Sequence, residues 1–389
     1  MIVILEKFKK KKLFFVLALI VFLLINTLFV LKYTERQSFV SANLLLFTYL
    51  LIVCFGLFVL SKAKTFLNKM KYFNYYFLVG SFLVFLIFIF VNIYVDGNSL
   101  NTDRWSAMDV TIQAILNSEY PYVIEDHLGQ TSSNLPGLFY VGLPFYLLGD
   151  VGFLQPFVFL ISCVFLSKIK IQQSSKLLIL FLFLTSPAYL WEIFAKSDLM
   201  SNLILLILFI FFWKSKFQGN YFKRIILLSF ICAFFFLTRG IVVIPLILFL
   251  FSGFMKIDIK LQLKFVLFFL LSILLISFPV LITVPDINTL IKFNPFSHQT
   301  RYAPKILQIL VIVVTFGIAF KVKSFGIAIK STFILFSLLL FITFILNSIE
   351  EGFVDNLYGN LFDISYLSMI LPFAIILIAD SLKINTMHA

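Results

Sequence analysis

The residues able to do chemistry fall in a few short polar stretches set between long apolar ones. The first stretch, DGNSLNTDRWSAMDVTIQAILNSEYPY, starts at Asp96 and includes the carboxylates Asp103 and Asp109, at the start of a helical pattern and along it. A carboxylate held at an apolar surface loses part of its hydration, which raises its proton affinity and suits it to take a proton from a hydroxyl. The bland alternative for Asp103, or for Thr102, is to accept the free N–H groups at a helix start. Glu125-Asp126-His127 follows, a run that offers ligands to a divalent metal. No two-histidine spacing accompanies it, and on a loop such a run is ordinarily solvated charge. No cofactor is therefore assigned, and a divalent metal stays open.

The second stretch, SPAYLWEIFAKSDLMSN, carries Glu192, Lys196 and Asp198 between two apolar runs. Ionisable groups at that depth are costly and turn toward a protein interior or a wet cavity. Glu192 and Lys196 stand four apart, the spacing of a helical ion pair, and Asp198 stands where it can cap the next helix. Thr238-Arg239-Gly240 places a guanidinium in an otherwise apolar stretch. It can hold a phosphate through paired hydrogen bonds or snorkel to lipid headgroups. The segment around NPFSHQTRY adds Lys292, His298 and Arg301.

The elements that must position these groups are membrane helices. Of 389 residues, 61% are hydrophobic and only 13% charged. A soluble core of this size cannot hide that much apolar surface, so lipid must be the solvent. A span needs roughly 20 apolar residues, fewer where the bilayer thins. About twelve spans are expected, near 13–32, 41–61, 76–95, 151–168, 176–195, 199–213, 224–237, 240–254, 263–283, 304–320, 329–347 and 364–381. The expected class is an all-α polytopic bundle. The basic N-terminal run KFKKKK enters the first apolar stretch with no small-residue cleavage site, so that stretch reads as a retained membrane helix.

Charge then fixes direction. With both termini cytoplasmic, most of the 31 basic residues fall on the inner side, while all acidic residues except Glu6, Asp258 and Asp380 fall on the outer side. The net charge of +13 thus reports topology rather than a nucleic-acid partner. Cys54, Cys163 and Cys232 all lie in apolar runs and offer no disulfide or zinc framework. The polar residues gather in outer regions 96–150, 192–198, 284–303 and 348–363. In the first, residues 103–117 read as an amphipathic interfacial helix. Trp105, Met108, Ile112, Ile115 and Leu116 lie on one side, and Asp109 and Gln113 can face away. Pro136 and Gly137 then re-aim the chain into the apolar stretch 136–149, too short to be counted as a span.

The order of these features resembles the GT-C superfamily of membrane glycosyltransferases, which use polyprenyl-phosphate-linked sugars. The relevant members are the protein O-mannosyltransferases, aminoarabinose transferases and bacterial mannosyltransferases. Their first outer loop opens on an acidic residue, here Asp103, and continues into an interfacial helix. A small-residue-plus-PY turn follows, here Tyr120-Pro121-Tyr122, and then a Pro-led apolar helix ending in Gly, here Leu135-Pro136-Gly137 through Leu148-Gly149. The next outer loop follows Ser186-Pro187 and carries Asp198, and the T-K-G-like turn reads Thr238-Arg239-Gly240. The resemblance covers about 76–255. Two spans precede the family's first helix, and a lone Asp103 stands where an Asp-Glu pair is usual.

The resemblance implies two N-terminal spans (1–75), a catalytic membrane core (76–255) and C-terminal spans (256–389). It implies sugar transfer from a polyprenyl-phosphate donor to a glycan, lipid or protein acceptor, on the periplasmic or extracellular face of the cytoplasmic membrane. Asp103 is expected as general base with Asp109 its rival, and Asp198 as an orienting carboxylate. Arg239, Arg301 and His298 are expected at the donor phosphate, and Arg104, Glu192, Lys196 and Tyr122 on the acceptor or in support. The competing readings are a transporter or lipid-linked-glycan flippase, an O-antigen polymerase-like protein, and a membrane protein without catalysis.

Overall fold

A computed structural model describes residues 2–359 and 361–381. The chain is all-helical, and among the described residues no strand forms; one isolated antiparallel bridge joins Glu125 to Thr131. The helices are α1 Ile2–Thr34, α2 Ala42–Lys69, α3 Phe73–Tyr94, α4 Arg104–Leu116, α5 Pro136–Leu147 and α6 Leu154–Lys168. They continue as α7 Gln173–Leu184, α8 Pro187–Phe194, α9 Leu199–Lys216, α10 Ile225–Phe236, α11 Val243–Phe254 and α12 Ile259–Leu281. The last are α13 Ile287–Lys292, α14 Pro295–Gln299, α15 Lys305–Ala319, α16 Phe325–Glu351, α17 Phe353–Leu357 and α18 Leu371–Ser381.

Among the described residues, seven helical stretches are long and apolar enough to cross a bilayer: Lys12–Thr34, Ala42–Lys69, Phe73–Tyr94, Val151–Lys168, Leu199–Lys216, Ile259–Leu281 and Phe325–Glu351. Several leave large apolar side chains uncovered, such as Phe47, Phe55, Leu274 and Leu275. Continuous exposed apolar surface of this extent needs lipid around it. The protein is a multi-pass membrane protein.

One expected span is broken. The stretch read as 176–195 forms α7 and α8, bent by 62°. Pro187 starts α8, and a proline has no N–H to continue the α7 ladder. The freed polar groups are met by Asn26 of α1, whose Oδ1 accepts from Ser186 Oγ at 2.7 Å and from Ala188 N at 3.0 Å. Other expected spans are shorter than a full crossing: Ile225–Phe236, Gly240–Phe254, Lys305–Ala319 and Ile364–Asp380.

The chain forms two compact units, each discontinuous in sequence. The first holds residues 1–88, 159–192 and 333–389. In it α1 packs on α2 and α18, and α7 packs on α2 and α18. Phe22, Ile25, Phe29, Phe336 and Phe373 are fully buried there. The second unit holds residues 89–158 and 193–332. Its closest packed pairs are α10 on α12, α11 on α15 and α4 on α5. Ala233, Leu237 and Ile276 centre one of its apolar clusters. The chemistry-bearing segments from Asp96 through Asp150, Lys196 through Asp198, Thr238 through Gly240, and Asn294 through Arg301 all belong to this second unit.

Candidate functional site

The helix expected over 103–117 forms as α4, Arg104–Leu116. Met108 and Ile112 are fully buried with Ala107, Thr111 and Ala114, while Gln113 is exposed and Asp109 half-buried. Leu116, expected on the apolar side, is instead exposed, because the buried face turns through Thr111 and Ala114 and not through the helix end. Asp103 occupies the N-cap position but makes no side-chain cap. Its carboxylate is half-buried and accepts no hydrogen bond among the described residues. Its backbone oxygen takes Ser106 Oγ at 3.3 Å, and Ser106 Oγ lies 2.6 Å from His127 Nδ1.

His127 also places Nε2 2.8 Å from the Leu100 carbonyl, so both ring nitrogens are engaged by the loop. Asp126 Oδ1 accepts from Leu128 N at 2.8 Å and Gln130 N at 3.1 Å, closing a turn. Burial raises the Asp126 carboxyl, its two backbone hydrogen bonds lower it, and the charge of Asp103 raises it. No group of three His, Cys, Asp or Glu suited to hold a metal occurs among the described residues.

Two buried ion pairs lie beyond the loop. Asp198 is also at an N-cap position without capping its helix α9. Both its oxygens instead face Arg239: Nε donates to Oδ2 at 2.9 Å and Nη2 donates to Oδ1. Asp198 is 2% and Arg239 3% exposed. Arg239 Nη2 also approaches Asn134 Oδ1 at 3.5 Å, and Nη1 has no partner. The guanidinium expected to snorkel or to hold a phosphate is thus paired with a buried carboxylate through Nε and Nη2, the partner a desolvated charge needs. Thr238 holds the turn by donating to Phe235 O at 2.6 Å and accepting from Asn202 Nδ2 at 2.9 Å.

The second pair joins Lys196 to Asp150. Lys196 lies past the end of the helix that carries Glu192, with φ +54°, and is 2% exposed. The helical i, i+4 register expected for Glu192 and Lys196 is therefore absent. Asp150 is a hub: its Oδ1 also accepts from Trp105 Nε1 at 2.9 Å and Gly152 N at 2.7 Å. Lys196 Nζ lies 5.5 Å from the Trp105 ring centre, a cation–π contact.

Asp109 feels this hub. Burial raises its carboxyl first, the Asp150 charge raises it further, and Lys196 partly offsets both. The neutral form is favoured in the fold, so the group's stabilising contribution is full below the ordinary carboxylate pKa and is lost as pH rises through the raised value. Asp109→Asn should therefore raise the melting temperature of the solubilised protein at neutral pH. The gain should vanish toward pH 4, as thermal scans across that range will show.

Backbone contacts join these segments. Gly240 N donates to Gln299 Oε1 at 3.0 Å, and Gln299 Nε2 donates to the Ser133 carbonyl at 2.8 Å. Tyr122 OH donates to the Asn134 carbonyl at 2.9 Å, which gives this buried tyrosine a scaffolding place, and its burial raises the phenol's pKa. Gly137 N donates to Leu237 O at 2.8 Å. A Cβ on Gly137 would come 2.6 Å from Phe234 O and 2.8 Å from the Leu237 carbonyl carbon. Because these are backbone atoms, Gly137→Ala should cost about 1–3 kcal/mol, read from the unfolding midpoint.

Of the residues picked from sequence, Lys196, Asp198, Arg239 and Tyr122 join this network, Asp109 feels the charges of Asp150 and Lys196 without a hydrogen bond to them, and Arg104 is buried at the start of α4. Arg301 is exposed and donates to its neighbour Tyr302 at 2.8 Å. His298 is half-buried on α14. Glu192 is buried in the first unit. Sequence reasoning missed Asp150, Asn134 and Gln299. The signal for Asp150 was Gly149, whose φ of +106° ends the α5 turn and swings the next carboxylate inward. No family model, curated protein or solved structure matches this chain.

Proposed function

We propose that the chain is an integral membrane glycosyltransferase of GT-C type that moves a sugar from a polyprenyl-phosphate donor to a glycan, lipid or protein acceptor. The observation that supports it most is convergence. Segments around residues 103–109, 134–150, 196–202, 238–240 and 299 meet in one unit through hydrogen bonds and two buried ion pairs. An ordered polar assembly of this kind is costly inside a membrane protein and marks function by default. In this reading the seven long helices, the bent α7–α8 pair and the four short apolar helices make twelve spans. Both termini are cytoplasmic and the assembly faces the outer side of the cytoplasmic membrane.

Asp103 is the general base in this proposal, because its carboxylate is free of hydrogen bonds and half-exposed at the head of the interfacial helix. It takes the proton of the acceptor hydroxyl as that oxygen bonds to the anomeric carbon. The bond from that carbon to the phosphate oxygen breaks, and the polyprenyl phosphate leaves with the electron pair. Arg239 Nη1, with His298 and Arg301, supplies donors for the leaving phosphate. Asp198 fixes the guanidinium, and Asp150 with Lys196 fixes Trp105 at the start of α4.

The buried pairs favour one other reading, since transporters and flippases also keep paired charges among their helices. Mass spectrometry of lipid-linked sugars and envelope glycans separates the two. Deleting the gene should remove one glycan mass and accumulate one polyprenyl-phosphate sugar, and re-expression should reverse both. Movement of a substrate across sealed vesicles with no covalent change would overturn the transferase in favour of transport.

A further inference from the structure

Away from this assembly, the second unit carries a groove of about 800 Å³ between α10 and α12. One end is cationic: Lys223 and Arg224 precede α10, and Lys264 lies in the second turn of α12. All three are exposed, and none makes an ion pair or side-chain hydrogen bond among the described residues. The rest is apolar, with Leu227 and Phe230 on one wall and Phe268, Leu271 and Leu275 on the other. From Lys264 to Leu275 the apolar wall runs about 16 Å along the helix at 1.5 Å per residue. Ser272 does not interrupt it, because its hydroxyl donates back to Phe268 O at 2.6 Å.

We propose that this groove binds a phosphate-headed anionic membrane lipid, headgroup on Lys223, Arg224 and Lys264 and chain along α10 and α12. Three cations at the mouth of an apolar groove match both halves of such a molecule, whereas a zwitterionic lipid offers the same chain but a headgroup without net charge for the cations. Basic side chains near a bilayer surface each attract anionic headgroups, and burying successive methylenes adds chain affinity. Ligand held only by the native state also stabilises it by mass action.

The test is native mass spectrometry of the full chain in a zwitterionic detergent, with phosphatidylglycerol, phosphatidylcholine or inorganic phosphate added. Discrete phosphatidylglycerol adducts and a rise in melting temperature are expected, with neither from phosphatidylcholine. The triple variant K223Q/R224Q/K264Q should weaken retention at least about tenfold. L271W, which fills the groove and keeps the cations, should also weaken it. A charge-matched control, K62Q/K69Q/K71Q in the first unit, should retain the lipid. Equal retention of the two lipids, an equal loss in the control, or inorganic phosphate displacing the lipid at equal concentration would each overturn the proposal.

Discussion

Arg239→Met is expected to lower the unfolding free energy by about 3–5 kcal/mol, because it leaves the Asp198 carboxylate buried without a counter-charge. No other polar substitution in the second unit should cost as much. Lys196 has a less deeply buried partner, with 18% of the Asp150 side chain accessible, so water can share the load there. The double variant Asp198→Asn/Arg239→Met removes both charges and should recover much of the loss, since a neutral pair carries no buried ion. Denaturant midpoints of the four proteins in one detergent give the coupling directly. A single variant as stable as wild type would mean that Asp198 reaches water despite its burial.

That pair also shows what a sequence can and cannot say. Hydrophobic runs and proline positions are local, so the helices fall where apolar periodicity places them. The short helix after Pro136 and the amphipathic helix after Asp103 were legible for the same reason. The break at Pro187 lay within reach of the same rule, yet an unbroken count of apolar residues reads straight through it. Partners are different, because they depend on which turns meet. Asp198 and Arg239 are 41 residues apart, and each had a sufficient local explanation, as a cap and as a snorkelling cation. Lys196 had a local partner in Glu192 by helical spacing, and only the φ of +54° beyond the helix end redirects it to Asp150. Gln299 lies within the NPFSHQTRY segment but carries no charge, so its neighbours His298 and Arg301 stood out instead, although it links Gly240 to the Ser133 carbonyl.

Two carboxylates at this helix, Asp103 and Asp109, accept no hydrogen bond among the described residues, and the choice between them sets the catalytic prediction. Asp103→Asn should lower sugar transfer by about 10²–10⁴-fold, the usual contribution of a general base. It should leave folding within about 0.5 kcal/mol of wild type, since the side chain is half-exposed and accepts no hydrogen bond. Asp109→Asn is the necessary comparison. Its carboxyl is already raised by burial and by Asp150, so it too can take a proton, but it faces the Asp150 hub from nearly two turns along α4. The proposal expects Asp109→Asn to keep transfer within a few-fold while gaining stability at neutral pH. Turnover of the lipid-linked donor by equal amounts of each purified variant decides between them. Loss in Asp103→Asn alone places the base at the head of the helix; loss in Asp109→Asn alone moves it to the Asp150 hub. Unchanged turnover in both would remove α4 from the chemistry and leave its carboxylates to position that helix.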